Sequence, residues 1–190
     1  MIDFSVDIDG ATVVDAKLQG LQQRVSDFSP AFELIHQSFL QMEKEQFDSE
    51  GQGQWASWTD LYDSWRQERG APGSKIMQWS GQLMRSLTVP GAKGSIVEIS
   101  SHEAKFGTDL STADAHPSRR DPSASGKEYG LGWVHQRGYT AKYPYGNPKA
   151  RSKRVPSRKL IELTDKYKTQ WMKIIQAYVT GSSSVFPEHF

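Results

Sequence analysis

The side chains able to do chemistry in this 190-residue chain are scattered. Histidines stand at positions 36, 102, 116, 135 and 189, and no two lie three to five residues apart, so no helix face offers the paired imidazoles of a metal site. Cysteine is absent, which removes disulfides, thiolate zinc sites and thiol nucleophiles together. Ser, His and Asp are plentiful, yet no serine occupies a G-x-S-x-G elbow, and the carboxylates Asp60 and Asp63 read as solvated helix positions. Glycoside hydrolysis would need two carboxyls held apart by the fold, which no local spacing provides. "EGQGQ" lacks the Gly-Lys-Ser/Thr ending of a phosphate loop, and "GLGWVHQRG" lacks the third glycine of a dinucleotide turn. No enzymatic constellation, metal or cofactor is expected.

One segment is chemically one-sided. Between Tyr129 and Ile161, Arg137, Lys142, Lys149, Arg151, Lys153, Arg154, Arg158 and Lys159 carry eight positive charges with no acid among them. The whole chain is only +1, so the remainder carries about −7. Charge of this density repels itself unless phosphates, counterions or a partner's acids lie near. Solvated positions on an irregular loop are the plain reading. An acidic body with a basic arm can also join head to tail with its own copies, a contact that closes into a ring if the rotation allows.

The elements that must position this arm are legible in part. Ile2, Phe4, Val6 and Ile8 alternate as in a short strand before the Asp9-Gly10 turn. Val14, Leu18, Leu21 and Val25 recur at spacings of four, three and four, one face of an amphipathic helix over residues 11–28. Ser29-Pro30 restarts the pattern, with Ser29 as N-cap and Pro30 at the first helical position, and Phe32, Ile35, Phe39, Met42 and Phe47 carry a second helix to about residue 47. Trp55, Trp58, Leu61, Tyr62 and Trp65 follow a Gly-rich loop as a satellite core, with an exposed stacking platform as the alternative.

Further along, Ser80 as N-cap with Leu83, Met84 and Leu87 on one side predicts a helix feeding a β-hairpin near residues 87–100, and Trp79, Leu83, Leu87, Ile96, Ile99, Leu163 and Trp171 are the expected core. Residues 109–128 form a polar insertion without apolar period, and residues 138–158 an extended basic arm with neither helical nor strand period. Leu160, Leu163, Tyr167, Trp171, Ile174 and Tyr178 predict a last helix over 159–179. The expectation is an α+β fold: one domain over residues 1–181 with long N-terminal helices, a small antiparallel sheet and a C-terminal helix, then a tail over 182–190. The acidic start without an apolar run excludes a signal peptide, and no stretch approaches the ~20 apolar residues of a membrane span, so a soluble cytosolic product is expected.

Taken in order, the motifs resemble the phage virion morphogenesis family, the tail-completion proteins of Mu-like and P2-like phages. In that family a Gly-rich segment precedes a Trp and a W-x-x-L step, and a [T/S]-G-x-L-x-x-S step follows. A strand ending in G-T, an H-Q-x-G step, and an I-P-A-R-x-[F/L]-L run before the last helix complete the pattern. This chain has Gly53, Trp55, Trp58 and Leu61; Ser80, Gly81, Leu83 and Ser86; Gly107 and Thr108; His135, Gln136 and Gly138; and Val155, Pro156, Arg158 and Leu160. The resemblance spans roughly residues 45–178. It departs at the insertion and at Ser157, which stands where an Ala is usual.

What the resemblance implies is a structural virion protein at the head-tail junction or upper tail end, assembled in the host bacterial cytoplasm. It would be a homo-oligomeric ring, hexameric by expectation, that completes the tail around the DNA exit path and touches other neck and tail proteins. Arg137, Tyr139, Lys142, Tyr143, Tyr145, Lys149, Arg151, Lys153, Arg154 and Arg158 are the residues expected to meet a neighbouring subunit, another virion protein or DNA. The competing reading is a non-specific nucleic-acid-binding module built from the basic arm and the Trp cluster. A virion-borne cell-wall hydrolase is a third, and no membrane partner is expected.

Overall fold

A computed structural model of the chain describes residues 10–58, 60–68, 75–78, 80–110, 139–141, 153–155 and 158–182. Its helices are α1 (Ala11–Ser26), α2 (Ser29–Asp48), α3 (Asp60–Glu68), α4 (Gln82–Thr88) and α5 (Asp165–Thr180). Its strands are β1 (Ser95–Ile99), β2 (Ala104–Thr108), β3 (Tyr139–Ala141) and β4 (Lys153–Val155), and the fold is α+β. The strand expected at residues 2–8 and the tail from 183 onward lie outside the described residues.

The break between α1 and α2 is where the sequence places it, with one difference in its chemistry. Phe28 is the N-cap, and Ser29 opens the helix with Pro30 in its first turn, where a missing N–H leaves no gap. The capping role expected of Ser29 falls to Asp27, whose Oδ1 accepts from the Ser29 N–H at 2.9 Å and from the Ser29 hydroxyl at 2.6 Å. Those bonds hold the Asp27 carboxyl below the usual carboxylate range.

α2 is the central element, packing against α4, the hairpin and α5. The main core joins Phe39, Met42 and Phe47 of α2 to Trp55, Ile76, Leu83, Leu87, Leu110, Leu160 and Tyr167. A smaller cluster sets Ala31 and Ile35 against Ile174. Leu83, Leu87, Leu163 and Trp171 join as expected, but Ile96 and Ile99 are only half-buried on the hairpin, and Trp79 lies outside the described residues.

Two expectations are corrected, and two further segments gain detail. The hairpin is β1–β2, running Ser95↔Thr108 to Ile99↔Ala104, because α4 continues to Thr88 and the Pro90–Gly94 turn leads into the first strand rather than out of it. The last helix begins at Asp165: Leu160 and Leu163 mimic its period from a non-helical approach, and the Lys159 carbonyl accepts side-chain donors from α2 and its loop. Leu110, counted with the polar insertion in the sequence, is 1% exposed. It packs against Gly94, where φ is +81° and a Cβ would stand 2.4 Å from Leu110 Cγ. Finally, the basic arm contains a ladder, since Tyr139, Thr140 and Ala141 pair antiparallel with Val155, Arg154 and Lys153. A backbone ladder needs no alternation of apolar side chains, so period-reading missed it.

Candidate functional site

Three separate stretches converge on the C-terminal end of α2. Helix ends leave carbonyls without partners, and here distant side chains reach them. Gln78 Nε2 donates to the Phe47 carbonyl at 3.1 Å and Lys75 Nζ to that of Asp48 at 2.8 Å. The chain then turns back through four consecutive positive-φ residues, Glu50, Gly51, Gln52 and Gly53. Two are not glycine, so the reversal is held against a local cost. Glu50 Oε1 accepts the Ile76 N–H at 2.8 Å, tying the reversal to the 75–78 segment.

The reversal delivers Trp55 into the core. Its ring meets Phe47 edge-on at 5.5 Å, and its indole N–H donates to the Lys159 carbonyl at 2.9 Å. Gln46 Nε2 donates to the same carbonyl at 3.0 Å. One residue earlier in the chain, Arg158 is 6% exposed and donates Nε and Nη2 to the Ala56 carbonyl at 3.1 and 2.8 Å. Two motifs about a hundred positions apart are thereby locked together. Arg158, expected among the residues that meet a partner, is turned inward by this clamp.

A second convergence ties α4 to the hairpin. Gly81 precedes α4 in the left-handed conformation, φ +69°, which explains a glycine one step before the helix. Leu83, Ser86 and Leu87 face inward. The hydroxyls of Ser86 and Thr108 are hydrogen-bonded at 2.8 Å, and Thr108 Oγ1 also accepts the Leu110 N–H at 3.2 Å. Gly107 pairs with Ile96 in the ladder.

The structure therefore unites Trp55 with Arg158, and Leu83 and Ser86 with Thr108. Trp55 belongs to the main core and Trp58 is half-buried against it, so neither forms an exposed stacking platform, and the separate satellite core expected for them is instead part of the main one. Leu61 sits in the first turn of α3. Tyr139, Lys153 and Arg154 are placed by the β3–β4 ladder. Arg137, Lys142, Tyr143, Tyr145, Lys149, Arg151, His135, Gln136, Gly138 and Pro156 lie outside the described residues.

Three residues escaped the sequence reading. Gly51 is buried at φ +69°, and a Cβ there would lie 2.2 Å from Trp55 Cδ1. Its neighbour Gly53, the residue matched to the family pattern, has open space around it. Gln46 supplies the second donor to Lys159, and nothing in its spacing announces this. Glu43 is fully buried on α2, and neither carboxyl oxygen has a hydrogen-bond partner among the described residues. Burial pushes its carboxyl up to about 8, so it is protonated at neutral pH. The same helix carries His36, stacked on Phe106 at 5.0 Å and lowered from its ordinary value by burial.

Chemically, these junctions hold chain segments together through buried donors on carbonyls. Among the described residues no group of three His, Cys, Asp or Glu could hold a metal ion, and no helix is long and apolar enough to cross a membrane.

Comparison with known proteins gives one result that bears on function. The profile of the phage virion morphogenesis family matches residues 9–180. No curated protein and no solved structure matches the chain.

Proposed function

This chain belongs to the phage virion morphogenesis family, and from that premise we propose that it is a structural subunit that completes the tail and enables head-tail joining. In this reading several copies form a ring, six by expectation, at the neck or upper tail end around the path of the genome. The single observation that carries it is the extent of the family match, which includes both junctions and the basic segment.

The physical features are consistent with a building block. The motif side chains that the hydrogen bonds place hold the subunit together, and in the sequence the positive charge is concentrated in residues 137–159 while the rest of the chain is net acidic. Copies arranged head to tail would bring one subunit's arm to the next one's acids, where charge selects the partner and packed rings provide affinity. Sequence-independent contact between the arm and the genome fits the same position.

The test is genetic and visual. Phage lacking this protein should yield filled heads and separate tails in negative-stain micrographs, and supplying the protein should restore joined particles. Normal particles in its absence would overturn the proposal. Tight binding of the isolated protein to free duplex DNA, steeply weakened by salt, together with normal joining in its absence, would favour the nucleic-acid-binding reading instead.

A further inference from the structure

α1 has the periodicity of a packed helix without the packing. Val14 is 55% exposed, Leu18 57%, Leu21 38% and Val25 45%. Its contact with α5 is made on another face, where Arg24 Nε donates to the Val179 carbonyl at 3.0 Å. The exposed residues recur at four, three and four, the spacing of a coiled-coil seam.

The order of side chains along this seam is the same in both directions: Val, Leu, Leu, Val, at spacings that also reverse onto themselves. Laid antiparallel on a second α1, Leu18 meets Leu21 and Val14 meets Val25, each pairing occurring twice about a two-fold axis. We propose that α1 is a docking face for a second copy of this chain, packed antiparallel through these four residues. Asp15 and Gln22 line one border of the seam and would face each other across it. Lys17 and Arg24 line the other and would likewise face each other, a like-charge pairing in which each Arg24 is held toward the end of its own α5.

The area sets the size class of the contact. The exposed parts of the four side chains amount to roughly 300 Å², which with an ordinary share of polar rim corresponds to about 1,100 Å² buried between two copies, the size of a transient contact. Because the stripe reverses onto itself, a second copy presents the matching stripe in matching register by construction. The inference goes beyond the ring, because a ring repeats a heterologous contact and a two-fold contact turns the copies in opposite directions. It describes the free protein.

The absence of native cysteine makes the test clean. Val14→Cys and Val25→Cys variants of the full chain are oxidised separately and as a mixture. In the antiparallel arrangement Val14 lies about 16 Å along the axis from its own mate, at ~1.5 Å per residue, so only the mixture should cross-link efficiently. Sedimentation of the unmodified protein should show a concentration-dependent dimer that Leu18→Glu abolishes while leaving the circular dichroism spectrum unchanged. Equal cross-linking of Val14→Cys alone would overturn the antiparallel face. So would a monomer up to about 100 μM, or a dimer that survives Leu18→Glu. None of these outcomes touches the particle phenotype that tests the ring.

Discussion

Arg158 and Ala56 are joined by two hydrogen bonds onto one carbonyl, 3.1 Å from Nε and 2.8 Å from Nη2, across 102 positions of sequence. The planar guanidinium suits this geometry because two of its N–H groups point the same way. The clamp fastens the segment leading into α5 to the loop that carries Trp55, so a residue expected to meet a partner serves the interior.

Arg158→Ala should therefore destabilise the purified protein by about 2–4 kcal/mol, the scale for removing a buried charged donor and leaving its acceptor unpaired. Arg158→Lys should recover only part of the loss, since one ammonium cannot reproduce the fork. Urea unfolding reads both. A change under about 1 kcal/mol would return Arg158 to the list of partner contacts.

Gly51 and Gly53 make a paired test. Both have positive φ, but an added Cβ collides with the Trp55 indole only at Gly51. Gly53→Ala should cost about 1–2 kcal/mol from the left-handed backbone alone, and Gly51→Ala clearly more, as read by urea unfolding. Equal costs would show that the loop absorbs the collision.

The pH dependence of stability follows from Glu43. Its folded carboxyl titrates at about 8 against an ordinary value of 4.5, so between those limits the folded protein holds a proton that the unfolded chain has released. Stability should fall as pH rises through that window, by a few kcal/mol, and level off above it. Glu43→Gln removes the ionisation while keeping the shape. The variant should show a flatter profile and a higher melting temperature than the parent at pH 9. A parent profile already flat from pH 5 to 8 would mean that Glu43 finds a partner when charged.

The basic arm should matter for assembly rather than folding. Reversing Arg151, Lys153 and Arg154 to Glu leaves every residue of the two core clusters intact. The variant should unfold at the parent's urea midpoint yet fail to enter particles, leaving heads and tails apart in micrographs. Incorporation at the parent's level would remove these charges from the interface.

The sequence alone determined what depends on near neighbours. The α1 and α2 boundaries follow from apolar spacing interrupted at Ser29-Pro30, and the inward turn of Leu83 and Leu87 follows from their place on one helical face. The order of short motifs reached the family as well, because order survives where single motifs are weak. Only the tertiary structure decided which residues use those elements. Leu160 and Leu163 fit a helical period without being helical, since the Lys159 carbonyl is taken by Gln46 and Trp55 from more than a hundred positions away. Gly51 and Gly53 are equivalent in spacing, and the indole beside one of them separates their roles. The stripe on α1 shows the same division in reverse: periodicity establishes that a helix has an apolar face, while whether that face is covered depends on elements far along the chain or on another molecule.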